Sequence, residues 1–149
     1  MKTLGVLLFF LVLSAGSCAQ ALQVDGRDIE NAALIGVSSK LHGSAKLYSV
    51  QRESQKLFIL TFYNPDAPNM YEAENISFYG TNQDLDMLYE FLKKGFSSRE
   101  RRLKNLGEGH KMAVSFAYSS ILVEVLRENG LNGWFFLSKK QLDRLFGKV

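Results

Sequence analysis

The sequence predicts an α+β domain made of antiparallel strands and two short helices. Two observations predict this class. Several segments are rich in β-branched and aromatic residues or alternate between large and small side chains, which is typical of strands. Two other segments begin with a capping residue and continue with apolar residues at helical spacing. With 149 residues, 46% hydrophobic and 22% charged, the chain suits one globular domain.

The N-terminal segment is typical of a secretory signal peptide. Lys2 supplies a positive charge, and residues 4–13 form an uncharged, strongly apolar run that small residues follow. Such a run, at about 1.5 Å per residue, covers only about half of a bilayer core, so a lasting membrane span is disfavoured. We therefore expect export, with residues 1–17 as the signal peptide. Cleavage after Ala19 or after Ala21 is the alternative.

Residues 15–18, Ala-Gly-Ser-Cys, resemble the lipobox of bacterial lipoproteins. In that motif a cysteine after small residues is diacylated and becomes the mature N-terminus. The position three before the cysteine is usually leucine, and here it is Ala15. Cys18 is also the only cysteine, and a lone thiol is a liability in an oxidising compartment. The resemblance implies lipid attachment at Cys18 and residence in a bacterial cell envelope, at the outer membrane or in the periplasm.

The first half of the mature chain predicts strands that lead into a helix. Polar residues 18–31 suit a tether, with one possible short strand at 22–24, and residues 32–37 suit either a strand or a short helix. Residues 46–52 and 56–63 predict a hairpin. The predicted elements that follow are a loop at 64–69, which holds both prolines, and a strand at 75–79.

The first predicted helix begins at Thr81, where Asp84 three residues later completes a capping-box-like start. Lys93 and Lys94 suit its last turn, and Gly95 suits the C′ position after it. Its apolar stripe consists of Leu85, Leu88, Tyr89 and Leu92.

The second half predicts a similar order. Residues 97–105 are charged and suggest a short helix ending near Gly107, and strands follow at 112–118, 121–127 and 134–137. Ser138 and Gln141 then form a capping box for a last helix. The apolar stripe of that helix consists of Leu142, Leu145, Phe146 and Val149.

Residues 78–89 and 135–146 align without a gap at an aromatic pair, a capping residue and a Leu-Asp-x-Leu-aromatic core. The chain therefore predicts two βββα-like repeats, which form one antiparallel sheet with two helices packed on one face. Residues 57–62 are apolar at almost every position. We expect the second face to be covered as well, by the N-terminal segment, a curl of the sheet or a partner subunit.

The sequence offers little catalytic chemistry. One cysteine and two histidines exclude a multi-cysteine zinc site and a histidine-rich metal centre. Nucleophile-elbow, zincin and phosphate-loop motifs do not occur. We therefore expect no enzyme, no cofactor and no metal; the enzymatic alternative is a dispersed site near His110. A formal charge of only +3, together with export, argues against a nucleic-acid partner.

Basic residues cluster in the last turn of the first predicted helix and directly after it. One interpretation is a solvated face, and the other is contact with anionic lipid headgroups beside a lipid anchor. The cluster consists of Lys93, Lys94, Arg99, Arg101, Arg102 and Lys104.

These features predict a small exported envelope protein, lipid-anchored at Cys18, with a single domain at residues 32–149. We expect a non-enzymatic binding or structural interaction module that contacts the membrane through its anchor and has a protein partner or a second copy. The alternative is a soluble secreted or periplasmic domain that binds a ligand or dimerises through a sheet face.

Overall fold

A computed structural model describes residues 26–41, 44–69, 73–130 and 133–149. In this part of the chain, two four-stranded antiparallel sheets and three α-helices make a mixed, mostly strand architecture, as the α+β class predicts. Cys18, the signal peptide and the possible strand at 22–24 lie outside the described residues. Lipid attachment and the cleavage site therefore stay predictions.

The first sheet is a meander in which each strand pairs with the next along the chain. A short helix precedes it and a longer helix, which ends in a 3₁₀ turn, follows it. The elements are α1 (Gly26–Glu30), β1 (Ala33–Val37), β2 (Lys46–Arg52), β3 (Gln55–Tyr63), β4 (Ala73–Gly80), α2 (Asn82–Lys93) and the 3₁₀ turn (Lys94–Phe96).

The second sheet repeats this order of pairing and also ends in a helix. Its elements are β5 (Arg102–Gly107), β6 (His110–Ala117), β7 (Ser120–Arg127), β8 (Gly133–Ser138) and α3 (Lys139–Leu145). The sequence predicts one sheet built from three-stranded units, whereas the described residues form two sheets of four strands each. The added strand in each half is the one at its start, β1 or β5.

Residues 97–105 do not form the predicted short helix, because β5 occupies their second part. Half-buried Arg102, Lys104 and Leu106 alternate with exposed residues, and Arg102 pairs with Val114 of β6. The backbone bonds to β6 thus decide the structure of a segment whose charged composition suits a helix. For residues 32–37 the sequence predicts either a strand or a short helix, and the structure has strand β1 there.

Both predicted capping boxes are present. The Thr81 hydroxyl accepts a hydrogen bond from the Asp84 backbone N–H, and the Asp84 carboxylate accepts one from the Thr81 backbone. Ser138 and Gln141 make the same reciprocal pair at α3. The stripe of α2 is buried as predicted. Val149 is exposed, contrary to the prediction for α3, because the helix ends before it.

A single hydrophobic core draws on both sheets and on α2 and α3. Ring contacts tie strands together within and between the sheets: the Phe58 and Phe78 centroids are 5.4 Å apart, and those of Phe62 and Phe135 are 4.9 Å apart. Strand β3 is buried on its other face too, since Leu57 and Ile59 alternate with these core residues and are almost fully buried.

The helices lie close to the strands at two glycines. A Cβ atom at Gly36 of β1 would overlap the carbonyl oxygens of Arg144 and Leu145 in α3. A Cβ atom at Gly95, in the 3₁₀ turn, would lie 2.5 Å from a methyl group of Val114. These close approaches fix α3 against the first sheet and the end of α2 against the second sheet.

Candidate functional site

A cavity of about 620 Å³ lies between the β1–β2 loop, the end of β3 and the last turn of α3. This volume is in the range of roughly 300–1,000 Å³ that is usual for small-molecule sites. Basic and hydroxyl side chains share its wall with apolar surface, which makes up the larger part. The lining residues are Val37, Ser39, Lys40, Leu41, Ser44, Lys46, Tyr63 and Arg144.

The charges that line the cavity are all positive. Lys40, Lys46 and Arg144 contribute them, and no aspartate or glutamate belongs to the described wall. Within the ranges that the structure describes, none of the three forms an ion pair with a carboxylate. Their charges are therefore available to an anionic ligand, and an arginine guanidinium can bind a carboxylate or a phosphate through two parallel hydrogen bonds.

Hydrogen bonds at the base of the β1–β2 loop hold its residues over the cavity. The Ser38 backbone N–H donates to the Ala45 carbonyl at 2.9 Å, and the Ala45 N–H donates to the buried Ser38 hydroxyl at 2.9 Å. Next to these two hydrogen bonds, Val37 of β1 pairs with Lys46 of β2. The loop also contains His42, which lies outside the described residues.

The close approach at Gly36 brings Arg144 to the same cavity. Because Gly36 has no side chain, the last turn of α3 packs directly on β1, and Arg144 lines the same cavity as Val37. Sequence reasoning missed this site. Lys40 and Lys46 are close in the chain, but Arg144 follows more than ninety residues later, and no local pattern connects them.

The predicted basic cluster divides into separate environments. Lys93 lies 3.6 Å from the Glu90 carboxylate, and Arg101 donates to the Glu124 carboxylate at 2.7 Å. Lys104 lies beside Asp84, whose pKa is lowered mainly by its hydrogen bonds with Thr81 and slightly by the charge of Lys104. The residues of this half of the cluster thus have carboxylates as neighbours.

The other three basic residues have no carboxylate bonded to them in the described part of the chain. Lys94 and Arg102 line one shallow groove of about 320 Å³ beside α2, and the Arg102 guanidinium lies 5.3 Å from the centre of the Phe91 ring. Arg99 is exposed between α2 and β5. The structure therefore brings Lys94 and Arg102 together and leaves Arg99 apart from their groove.

The alternative candidate, an enzymatic site near His110, lies at the junction between the two sheets. Arg127 donates to the Glu74 carboxylate at 2.7 Å and to the Asn75 carbonyl at 3.0 Å, and Asn64 donates to Glu74 at 2.7 Å. Glu74 and Asn75 belong to β4, whereas Arg127 belongs to β7. The two bonds of Arg127 therefore join the sheets across a partly buried boundary, and the bond from Asn64 holds Glu74 in place.

His110 itself is buried at the start of β6. Burial lowers the pKa of its imidazole, and the charge of Arg127 lowers it further; a hydrogen bond with the Ser77 backbone and the charges of Glu108 and Glu128 oppose this shift. Among the described residues, neither the His110 Nδ1 nor the Ser77 hydroxyl has a hydrogen-bond partner. A neutral, buried imidazole beside a paired Glu74–Arg127 suits the joining of the sheets.

In the described ranges, no three histidine, cysteine, aspartate or glutamate residues come together as metal ligands. In the same ranges, no helix combines the length and the apolar character needed to cross a bilayer. Comparison with protein-family models, with curated proteins and with solved structures finds no match to this chain.

Proposed function

We propose that the protein is an exported, lipid-anchored envelope protein that binds a small organic anion in the cavity between the β1–β2 loop and α3. The observation that carries the proposal is the convergence of Lys40, Lys46 and Arg144 on one cavity whose described wall has no carboxylate. The leader and the lipobox-like segment support export and anchoring at Cys18. The function is binding, without catalysis.

The chemistry of the wall defines the ligand class. An acidic group, such as a carboxylate or a phosphate, suits the three cations, and the hydroxyls of Ser39 and Ser44 are further donors. Val37 and Leu41 offer apolar surface beside these donors. A ligand with one acidic end and a small apolar body therefore matches the cavity best.

A titration with 1-naphthyl phosphate tests this proposal. We expect saturable binding by calorimetry, and weaker binding by about tenfold or more in Arg144→Gln and in Lys46→Gln, because each loses one charge-assisted hydrogen bond of about 1.5–3 kcal/mol. Lys111→Gln is the matched control, since Lys111 is exposed on β6 of the other sheet. Absence of binding, or equal affinity in all variants, would contradict the proposal.

The anchor has its own test. The intact mass of the mature protein from a membrane fraction should correspond to a chain that starts at Cys18 and carries acyl groups. The Cys18→Ser variant should be released from membranes. A mass that starts at Gln20 or Leu22 without lipid would remove the anchor and leave a soluble binding domain.

We also propose that the two halves are copies of one ββββα unit, with α2 and α3 packed side by side on the core. The gapless alignment of residues 78–89 with 135–146 and the matching capping boxes support this relationship. Contact between the equivalent rings of Tyr89 and Phe146, 5.6 Å apart, supports it further. The proposed ligand cavity then combines a loop of the first copy with the helix of the second.

A further inference from the structure

One end of the second sheet presents exposed aromatic side chains. Phe116 at the end of β6 is 44% exposed, and Tyr118 in the β6–β7 turn is 97% exposed. On β8, Phe136 is 51% exposed and pairs with Leu122, close to the same turn. Phe116 lies on the core-facing side of the sheet, with Ile121 and Leu137, whereas Phe136 lies on the opposite side, with Leu122. Tyr118 lies between them in the turn, so three exposed aromatic side chains surround one end of the sheet. Isolated exposed apolar residues are ordinary, but a cluster of them indicates a contact surface.

The conformation of Tyr118 is costly. Ala117 pairs with Ser120, so Tyr118 and Ser119 form a two-residue hairpin turn. Tyr118 has a φ of +58°, in the left-handed region that hairpins usually fill with glycine or asparagine. A bulky side chain held in this conformation while almost wholly in solvent gains no packing energy, and such strain concentrates at functional sites.

Basic side chains surround this aromatic end. Ser138 pairs with Ser120, so Lys139 and Lys140 begin α3 directly beside the hairpin turn. Arg99 lies before the opposite edge strand, β5, and Lys94 follows α2; each lies toward the same end of the sheet.

The packing of neighbouring residues places Lys94 and Arg99 there. Lys94 precedes Gly95, which packs on Val114 and Ile121, and Arg99 lies just before β5, which starts opposite Val114. Of the described ion pairs, none uses Lys94, Arg99, Lys139 or Lys140. Glu100 lies in the same stretch, and Asp86 and Glu90 line the groove beside Lys94. Because Asp86 is paired with Lys148 and Glu90 with Lys93, positive charge predominates.

We propose that this end of the second sheet, termed the aromatic tip, binds the surface of a bilayer that contains anionic phospholipid. It consists of Phe116, Tyr118, Phe136, Lys94, Arg99, Lys139 and Lys140. Aromatic rings favour the headgroup region of a bilayer, and basic side chains are attracted to anionic headgroups. The aromatic tip adds a second membrane contact to the proposed function. This contact does not depend on acylation of Cys18 or on the ligand cavity. It revises the predicted headgroup contact, because Lys93 and Arg101 already have carboxylate partners.

Vesicle flotation of the exported chain carrying Cys18→Ser tests the proposal without a lipid anchor. We expect the protein to float with vesicles of phosphatidylcholine and phosphatidylglycerol and to stay behind with vesicles of phosphatidylcholine alone. Tyr118→Gly should reduce the bound fraction about fivefold or more, and so should the double change Lys139→Glu with Lys140→Glu. The matched controls are Glu53→Gly, which changes the strained residue of the β2–β3 turn, and Lys111→Glu; neither should alter flotation.

A folding measurement keeps the test specific. Tyr118→Gly relieves a strained backbone, so its melting temperature should equal or exceed that of the parent chain; lower flotation then reports a lost membrane contact. Failure of the parent chain to float with anionic vesicles would overturn the proposal. Equal flotation with neutral vesicles, or unchanged flotation in both tip variants, would overturn it as well. None of these outcomes depends on 1-naphthyl phosphate binding.

Discussion

The Tyr89 hydroxyl donates a hydrogen bond to the Asp143 carboxylate, with the two oxygen atoms 2.7 Å apart. Tyr89 lies on α2 and Asp143 on α3, so this bond joins the two helices that follow the two sheets. Because the bond holds the neutral phenol in place, and burial adds to the effect, the pKa of Tyr89 is raised to about 12. The same ring contacts Phe146, which places a polar and an apolar contact side by side between the helices.

We expect Tyr89→Phe to lower the free energy of unfolding by about 1 kcal/mol at neutral pH, since the ring remains and only the hydrogen bond is lost. The phenol favours the folded state fully below its unfolded-state pKa of 10, and this contribution is lost as the pH rises from 10 through about 12. Urea unfolding between pH 7 and 12 measures both effects. Tyr118→Phe, at an exposed position, should change neither; an unchanged stability in Tyr89→Phe would contradict the assignment.

We expect Gly36→Ala to destabilise the fold by about 1–3 kcal/mol, because the added methyl group would force β1 and the last turn of α3 apart. The same displacement should weaken 1-naphthyl phosphate binding by moving Arg144. Thermal unfolding and calorimetry measure the two consequences. Gly130→Ala has open space but a φ of +76°, so it should cost some stability without affecting binding. If Gly36→Ala binds as tightly as the parent chain, α3 does not position the cavity.

The buried imidazole of His110 should make stability depend on pH. Its pKa is lowered in the folded state, so the unfolded state binds the proton more readily. The contribution of neutral His110 is complete above the unfolded-state pKa of about 6.5 and is lost as the pH falls from there through the folded-state pKa. We expect the free energy of unfolding to fall between pH 7.5 and 5, and to fall less in His110→Gln. Parallel pH profiles would show that His110 does not contribute.

We expect Tyr118→Gly to stabilise the protein by about 1 kcal/mol, because glycine adopts the left-handed region without the steric cost borne by a tyrosine. Guanidinium unfolding measures the change. Glu53→Gly, at a φ of +40° in the β2–β3 turn, offers a comparison in which the same relief is expected. A destabilised Tyr118→Gly would mean that the ring packs in the fold, which its exposure contradicts.

Local chemistry predicts much of this fold. A capping residue and the residue three positions later decide where each helix begins. The starts of α2 and α3 can therefore be predicted from the sequence alone, from Thr81 with Asp84 and from Ser138 with Gln141. The β2–β3 hairpin is equally local, since its turn residues separate two apolar runs. The alternation of residues 112–118 likewise places Met112 and Val114 of β6 on the side that joins the core.

Features that depend on distant contacts were not predictable. Strand β5 has Leu103 exposed and Arg102 half-buried, so its pattern reverses the usual rule, and only pairing with β6 makes it a strand. The cavity is similar, because Lys46 and Arg144 come together only when α3 packs on β1. The aromatic tip joins residues from β6, the β6–β7 turn, β8, α3 and the segment after α2, and sequence reasoning found only its Lys94 and Arg99.

The contact of Gly36 with the last turn of α3 has a consequence for the order of folding. It pairs the first strand of the first sheet with a helix made more than a hundred residues later, so β1 cannot gain its final cover until α3 has been synthesised. Contacts of such high sequence separation form late, because the entropy of closing a long loop is lost before the contact repays it. The first sheet therefore cannot complete its packing until the second half of the chain has been made. Until then β1 and its apolar neighbours are exposed and can associate with other chains.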